Sequence, residues 1–483
     1  MRKTMDNSRR TDSSAKKISR RGFLASTAGA AAGVTVLPRY ILGGEGITPP
    51  SEKLNIAVIG AGGQGTTDMK ALLAYPDVQV MAVCDVAEKT ESRWDDDNWT
   101  GRGPAMKTVN DHYASNEKTK EYKPCAGYVD FREMFEKEKN IDAVLIGTPD
   151  HIHAIATMWA IKNKKHVYCE KPLTHSIWES RRIAEAAREA GVVTQMGNQG
   201  HSGEGIRLTV EWIRDGAIGE VREVHSWSHN SGRYEGTPAI RPEEKPPVPD
   251  GLDWDLWLGP RPKRPYHRGL HPGMWRAWWD FGNSTLGDMA CHNVDPAFWA
   301  LDLGHPTSVE ANSSRFNDET APVAAIYHYQ FPARGKMPPV KLTWYTGGLF
   351  PPKPEELEEG RVLDGKGNGV LFIGDKGKIM CAGWGGSPLI IPDSKMKEYK
   401  RPARTLPRTN GDHTRDWVNA IKKGTKACSD FSYSAHLTEV VLLGNVALRA
   451  GKKIYWDGAN MKATNAPEAD KLINPGYNNG WTL

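Results

Sequence analysis

The sequence predicts an α/β protein: a doubly wound parallel sheet first, then an α+β part built on a largely antiparallel sheet. Three observations carry this. Residues Leu54 to Asp85 read as strand, glycine turn, helix and second strand. Apolar strands then alternate with helical patterns as far as residue 200, as crossover connections require. Beyond Gly205 the alternation stops and strand-like segments follow one another.

In the first unit, Asn55-Ile-Ala-Val-Ile-Gly60 runs into Ala-Gly62-Gly-Gln64-Gly65. Gly60 permits the tight turn, Gly62 lets the backbone approach a pyrophosphate, and Gly65 lets the helix pack closely on the strand. The helix N-terminus directs free N–H groups at an anion. Asp85 ends the next strand twenty residues after Gly65. A carboxylate there accepts from both ribose hydroxyls and repels a 2′-phosphate, so NAD is expected and NADP less so.

The 483 residues suffice for two cores, with 39% hydrophobic and 25% charged residues, the balance of an ordinary globular chain. The formal charge of +5 is concentrated in residues 1–44, where nine Lys/Arg stand against two Asp/Glu. The remainder is close to neutral, which gives no reason to expect nucleic acid as a partner. In that leader, Ser19-Arg20-Arg21-Gly22-Phe23-Leu24 precedes an Ala/Gly/Val run ending at Leu37, the pattern of a twin-arginine export signal. The run is too short to span a bilayer comfortably, and no later segment is a candidate, so no stable membrane span is expected. The expected location is the periplasm, or another compartment reached by the twin-arginine machinery. Six scattered cysteines without a C-x-x-C pair read as reduced core thiols.

Residues 45–53 are expected as a linker, 54–200 as the nucleotide-binding domain, 201–450 as a substrate and oligomerisation domain, and 451–483 as a tail. Arg93 to Lys123 reads as a polar excursion whose Asp95-Asp96-Asp97 is a solvated loop. Ile141-Asp-Ala-Val-Leu-Ile-Gly147 is a buried parallel strand, with Thr148-Pro149-Asp150 at its C-terminal end, where ligands lie in open α/β sheets. His166–Cys169 leads into Glu170-Lys171-Pro172, and Val192–Met196 into Gly197-Asn198-Gln199. Later strands are expected at Val221–Ser228, Thr307–Arg315, Ala324–Phe331, Val340–Tyr345, Gly369–Ile373 and Lys378–Cys381. Closing helices are expected at Asp412–Lys422 and Ser434–Ala450.

Lys171 precedes a proline, which disfavours helical geometry at the lysine and holds it in one direction at the mouth of the sheet. Asp288 and His292 are four apart, so on a helix they share a face. Such a pair serves as base and orienting acid for an alcohol proton. It also serves as half of a metal site, with Asp295, His151 or His153 supplying the rest. The lysine argues for metal-free alcohol oxidation. Trp254 and Trp257, and Trp275, Trp278 and Trp279, stand close to polar groups, as sugar-binding aromatics do.

These stretches together resemble the glucose-fructose oxidoreductase/inositol dehydrogenase (Gfo/Idh/MocA) family. They are Gly60-Ala-Gly-Gly-Gln-Gly65, Gly147-Thr-Pro149 with His153, Glu170-Lys171-Pro172, Met196-Gly-Asn-Gln199 and Gly287-Asp288-x-x-x-His292. The resemblance implies a Rossmann domain and a second domain with an open sheet that covers the cofactor and forms homo-oligomer contacts. It adds Thr148, His153, Glu170, Lys171 and Asn198 to the cofactor residues Gly60, Gly62, Gln64, Gly65 and Asp85. It also implies that Lys171 contacts nicotinamide and substrate, Asp288 positions the substrate, and His292 accepts the proton. Asp150 departs from a common asparagine, and Asn283-Ser284-Thr285 from a more glycine-rich run. The expected function is an exported NAD-dependent oxidoreductase acting on a sugar, glycoside or polyol hydroxyl, with tightly held NAD. The alternatives are an NAD-dependent glycosidase working by transient oxidation and elimination, and a non-catalytic sugar-binding protein.

Overall fold

The computed structural model describes residues 49–91, 99–115, 123–363 and 367–483. Ser19-Arg20-Arg21, read above as part of an export signal, and Asp95–Asp97 lie outside the described residues. Among the described residues, no helix is long and apolar enough to cross a membrane.

Six parallel strands form the first sheet: β1 (Leu54–Ile59), β2 (Val78–Cys84), β3 (Ala126–Tyr128), β4 (Ala143–Ile146), β5 (His166–Glu170) and β6 (Thr194–Gly197). Their order is β3-β2-β1-β4-β5-β6, so the direction of winding reverses between β1 and β4. The strand ends diverge there and leave a crevice at their carboxyl side. β1 and β4 are apolar on both faces because helices cover both, among them α1 (Gly63–Leu73). The excursion expected from Arg93 to Lys123 instead contains a helix, α2 (Arg102–Ser115), which buries Ala105, Val109 and Tyr113 against the sheet. The buried positions recur at helical spacing, but the polar residues between them mask the pattern. Next come α3 (Phe131–Lys137) and α4 (Asp150–Lys162). α5 (Ile177–Ala190) starts at a capping box in which Ser176 and Glu179 satisfy each other's backbone N–H, and ends at left-handed Gly191.

A nine-stranded sheet follows α6 (Glu204–Arg214). Its strands are β7 (Val221–Ser228), β8 (Ser308–Ser313), β9 (Ala325–Phe331), β10 (Val340–Thr346), β11 (Asn368–Gly374), β12 (Lys378–Ala382), β13 (Leu389–Ile391), β14 (Ile454–Asp457) and β15 (Lys462–Ala463). The order β13-β12-β11-β7-β10-β9-β8-β14-β15 is antiparallel except for the pair β7–β10. Within residues 451–483, Ile454 and Tyr455 pair with β8.

The helix α7 (Ser284–Asn293) lies against β7, and α8 (His413–Lys423) returns to the first domain. Trp417 and Val418 of α8 are buried in the core beneath α1 and β1, and Arg415 grips Asp77 through two hydrogen bonds of 2.5 and 2.8 Å. The twenty-residue helix α9 (Phe431–Ala450) packs on α5, α7 and β8, joining the two sheets in one core. All six cysteines are free thiols, and only Cys428 is not fully buried.

Because α9 is the shared wall, truncating its fully buried Leu443 should weaken both halves together. Leu443→Ala is expected to cost about 2–5 kcal/mol. Chemical denaturation followed separately at the two sheets should show coincident transitions, and separated transitions would contradict a single core.

Candidate functional site

The groove opens at the carboxyl ends of β1, β4 and β5. One wall carries Gly60, Gly62, Gln64, Asp85, Thr148, Asp150, Glu170 and Lys171, and the opposite wall carries Trp257, Trp275, Arg276, Asp288 and Trp481. Gly60 has φ +86°, and a Cβ there would lie 2.6 Å from the Thr148 nitrogen. A Cβ on Gly65 would lie 2.0 Å from the Gly60 carbonyl oxygen, so helix and turn meet with no room for a side chain. At Gly62 a Cβ would meet nothing within 4 Å. The glycine is dispensable for packing and instead leaves open backbone facing the groove. This is the cradle a pyrophosphate requires, and the residues present fit NAD. The Asp85 carboxylate accepts from the N–H groups of Ala61 (2.7 Å) and Ala87 (2.8 Å), which fixes it at the groove edge with acceptor capacity to spare.

Lys171 and Asp288 form an ion pair across the groove. The hydroxyl of Tyr234 donates to the other Asp288 oxygen, and Arg276 Nε lies 3.9 Å from it. Burial favours a neutral Asp288, but Lys171 and Arg276 outweigh it and hold the carboxyl well below its usual range. Burial likewise pulls Lys171 down, and the Asp288 and Glu170 carboxylates more than compensate, so its ammonium is held above its ordinary value. Both partners are therefore charged across the neutral range. Behind them Gln199 donates to Glu170 (2.7 Å) and Gln64 to Asp68 (2.9 Å). Burial, reinforced by the neighbouring Asp68 carboxyl, pushes Glu170 well up, and burial pushes Asp68 up to about 6.

Asp288 and His292 share α7 as expected, yet Asp288 turns to Lys171 and Tyr234 and not to His292. His292 is buried beside the groove, not in its lining. Its Nδ1 has no hydrogen-bond partner, and its ring packs against Trp384. Burial, aided by Lys171, lowers it to about 3, so it is neutral at working pH. His153 supports the site from behind, with its two ring nitrogens facing the carbonyls of Pro172 (2.7 Å) and Thr148 (2.8 Å). Asn198 is also behind the groove, donating to Asp295 at 3.0 Å with its own oxygen unpartnered.

The residues weighed as metal ligands are occupied otherwise. His151 faces the carbonyls of Trp257 and Phe281, and Asp295 accepts from Asn198, His201 and Tyr433. Among the described residues no three His, Cys, Asp or Glu side chains are grouped to hold a metal. Of the tryptophans read as sugar-binding, Trp254 and Trp278 are buried core, Trp254 stacking on Trp257 at 4.5 Å, and Trp279 is buried in the main core. Trp257 and Trp275 do reach the groove. Sequence reading missed Tyr234, which lies in an irregular segment, and Arg276, whose one signal was its place inside the tryptophan run.

Residues 54–198 match the family model "Oxidoreductase family, NAD-binding Rossmann fold", and residues 230–331 match "Oxidoreductase family, C-terminal alpha/beta domain". The chain belongs to the Gfo/Idh/MocA oxidoreductase family, and residues 54–198 are its NAD-binding domain. It is 35% identical over 88 residues to the 2,7-anhydro-N-acetylneuraminate hydratase of Escherichia coli, covering 18% of this chain and 24% of that protein. It is 27% identical over 173 residues to a glycosyl hydrolase family 109 protein of Saccharopolyspora erythraea, covering 35% and 34%. The alignments thus span about a third or less of these relatives' length. The aldose-aldose oxidoreductase of Caulobacter crescentus, solved with glycerol, shares the fold at a TM-score of 0.52 and 18% identity, covering 84% of this chain and 100% of that one.

Two measurements test this geometry. Gly62→Ala is expected to leave stability unchanged and to weaken NAD binding at least tenfold, about 1.4 kcal/mol, whereas Gly65→Ala should lose both. Equal losses of stability in the two variants would contradict the open cradle. Asp150 is pushed up to about 7, chiefly by burial. A raised carboxyl binds its proton more tightly folded than unfolded, so stability is lost as pH rises from the ordinary carboxylate range through about 7. Asp150→Asn mimics the protonated form and should raise unfolding free energy by about 1–2 kcal/mol at pH 8 and little at pH 4. A gain that does not grow with pH would refute the assignment.

Proposed function

We propose that this chain is an exported NAD-dependent oxidoreductase acting on a hydroxyl of a sugar, glycoside or polyol. The observation that carries it is the Lys171–Asp288–Tyr234 cluster, set in the same groove as the glycine turn. Bound NAD supplies the hydride acceptor. The Lys171 ammonium stabilises negative charge growing on the substrate oxygen. Asp288 keeps Lys171 charged and oriented. His292, neutral and without a protein partner at Nδ1, has capacity to take the hydroxyl proton, and developing charge beside it raises its basicity. Arg276 adds a second cation facing the same carboxylate.

A redox-neutral reading, glycoside cleavage through transient oxidation and elimination, has one specific support. Tyr234 adds a proton-bearing group to the cluster, and elimination needs more proton transfers than simple oxidation does. The glycosyl hydrolase family 109 relative agrees with that reading. Ser19-Arg20-Arg21 supports export of the protein already folded with NAD in place.

The experiment isolates periplasmic protein, releases and identifies its cofactor, and screens methyl glycosides, anhydro sugars and polyols for loss of substrate with and without NADH accumulation. Bound NAD and NADH formed in step with substrate loss are expected. Cleavage without NADH, with solvent deuterium entering the product, would select the redox-neutral reading. Lys171→Ala should lower kcat by about 10²–10⁴ while retaining NAD. Intact turnover in that variant would remove the proposal, and a protein confined to the cytoplasm would remove export.

A further inference from the structure

The buried His292 ring is packed against an aromatic side chain from the second sheet. Between β12 and β13 the chain makes a tight turn, Gly383-Trp384-Gly385-Gly386, closed by Ala382 N–H to the Gly386 carbonyl at 2.9 Å. Trp384 is its one side chain, and its backbone is left-handed at φ 63°, ψ 22°. A residue with a Cβ rarely adopts that conformation and does so at a cost. Its ring is 5.0 Å from the His292 ring and inclined by 37°. Even so, the tryptophan remains 47% exposed.

The surroundings hold this residue firmly. Its N–H donates to Asn293 Oδ1 at 3.0 Å, and the Asn293 amide donates to the Trp227 carbonyl (3.0 Å) and to Asn368 Oδ1 (3.2 Å). Asn293 follows His292 directly, so α7 fixes the reactive side chains and the tryptophan from one helix. Clearance has also been made for it. A Cβ on Gly200, in the loop after β6, would come within 2.5 Å of the Trp384 Cβ, and one on Gly385 within 2.7 Å of Pro296.

A turn that served only closure would be less strained with glycine at φ 63°. A strained, anchored and half-exposed indole packed on His292 keeps an apolar face open to solvent next to the helix that carries Asp288. Building on the sugar oxidoreductase reading above, we propose that Trp384 is the stacking platform for the substrate ring. The C–H face of a pyranose lies on the indole while one of its hydroxyls reaches Lys171 and His292. This makes Trp384 a specificity residue that favours cyclic over open-chain substrates, because an open polyol offers no flat C–H face.

The test uses the NAD-loaded full chain and the variants Trp384→Gly and Trp384→Phe. Glycine is at ease at φ 63°, so the first variant removes the ring without adding backbone strain. Kinetics are measured with the methyl glycoside best used in the screen, and binding of that glycoside and of sorbitol by calorimetry. Trp384→Gly should raise KM and Kd for the glycoside on the order of tenfold, with a smaller change in kcat. Trp384→Phe should restore most of the loss, and NAD affinity and sorbitol binding should stay at wild-type values. An unchanged KM in Trp384→Gly, or equal losses for glycoside and sorbitol, would overturn the platform. If the wild-type protein neither binds nor turns over any member of the panel, the sugar oxidoreductase reading itself falls. A wild-type protein that turns over the glycoside beside an indifferent Trp384→Gly removes the platform alone.

Discussion

The ion pair between Lys171 and Asp288 is the constraint on which the site depends. One partner directly follows a strand of the parallel sheet, and the other stands on a helix packed against the second sheet. A buried pair of this kind contributes little net stability, since desolvation offsets attraction, but removing either member strands the other charge. The two sheets must therefore meet in one register for either charge to be tolerable. The long helix α9, packed on α5 and α7, supplies the rigid frame that holds them there.

Around that pair the fold gathers more acid than it neutralises. Asp68, Asp150 and Glu170 are all buried near Lys171, and all three are pushed toward the protonated form. Asp288, flanked by Lys171 and Arg276, is driven the other way. The arrangement separates carboxyls that keep a proton from the one that does not, using position alone. It leaves Asp288 firmly ionised beside Lys171, and a lysine whose charge is secured by it.

Much of this was legible in the sequence for physical reasons. The parallel strands are buried on both faces, so they stand out as apolar runs, and glycine is the residue that tolerates the contacts among Gly60, Gly65 and Gly147. Lys171 and Asp288 could be singled out because a proline and a helical spacing constrain them locally. What escaped depends on distant partners. Tyr234 reaches Asp288 across 54 residues, and no local pattern announces it. The tryptophans misled because an indole beside polar residues looks alike whether it is stacked in a core, as Trp254 is on Trp257, or facing a ligand. The helix Arg102–Ser115 was hidden by its polar residues, although three apolar positions were enough to seat it.

The late segments that complete the first domain carry a further consequence. Trp417 fills the core below β1, and Trp481 lines the groove, its ring 5.9 Å from that of Phe131. These contacts join residues more than 300 positions apart, so closing them carries a large loop entropy that local structure cannot offset early. The nucleotide-binding half, encoded first, is therefore completed by segments made last. Its groove acquires the wall that carries Trp481 only when the C-terminal segment has docked, so the shape a cofactor meets is set by both ends of the described chain.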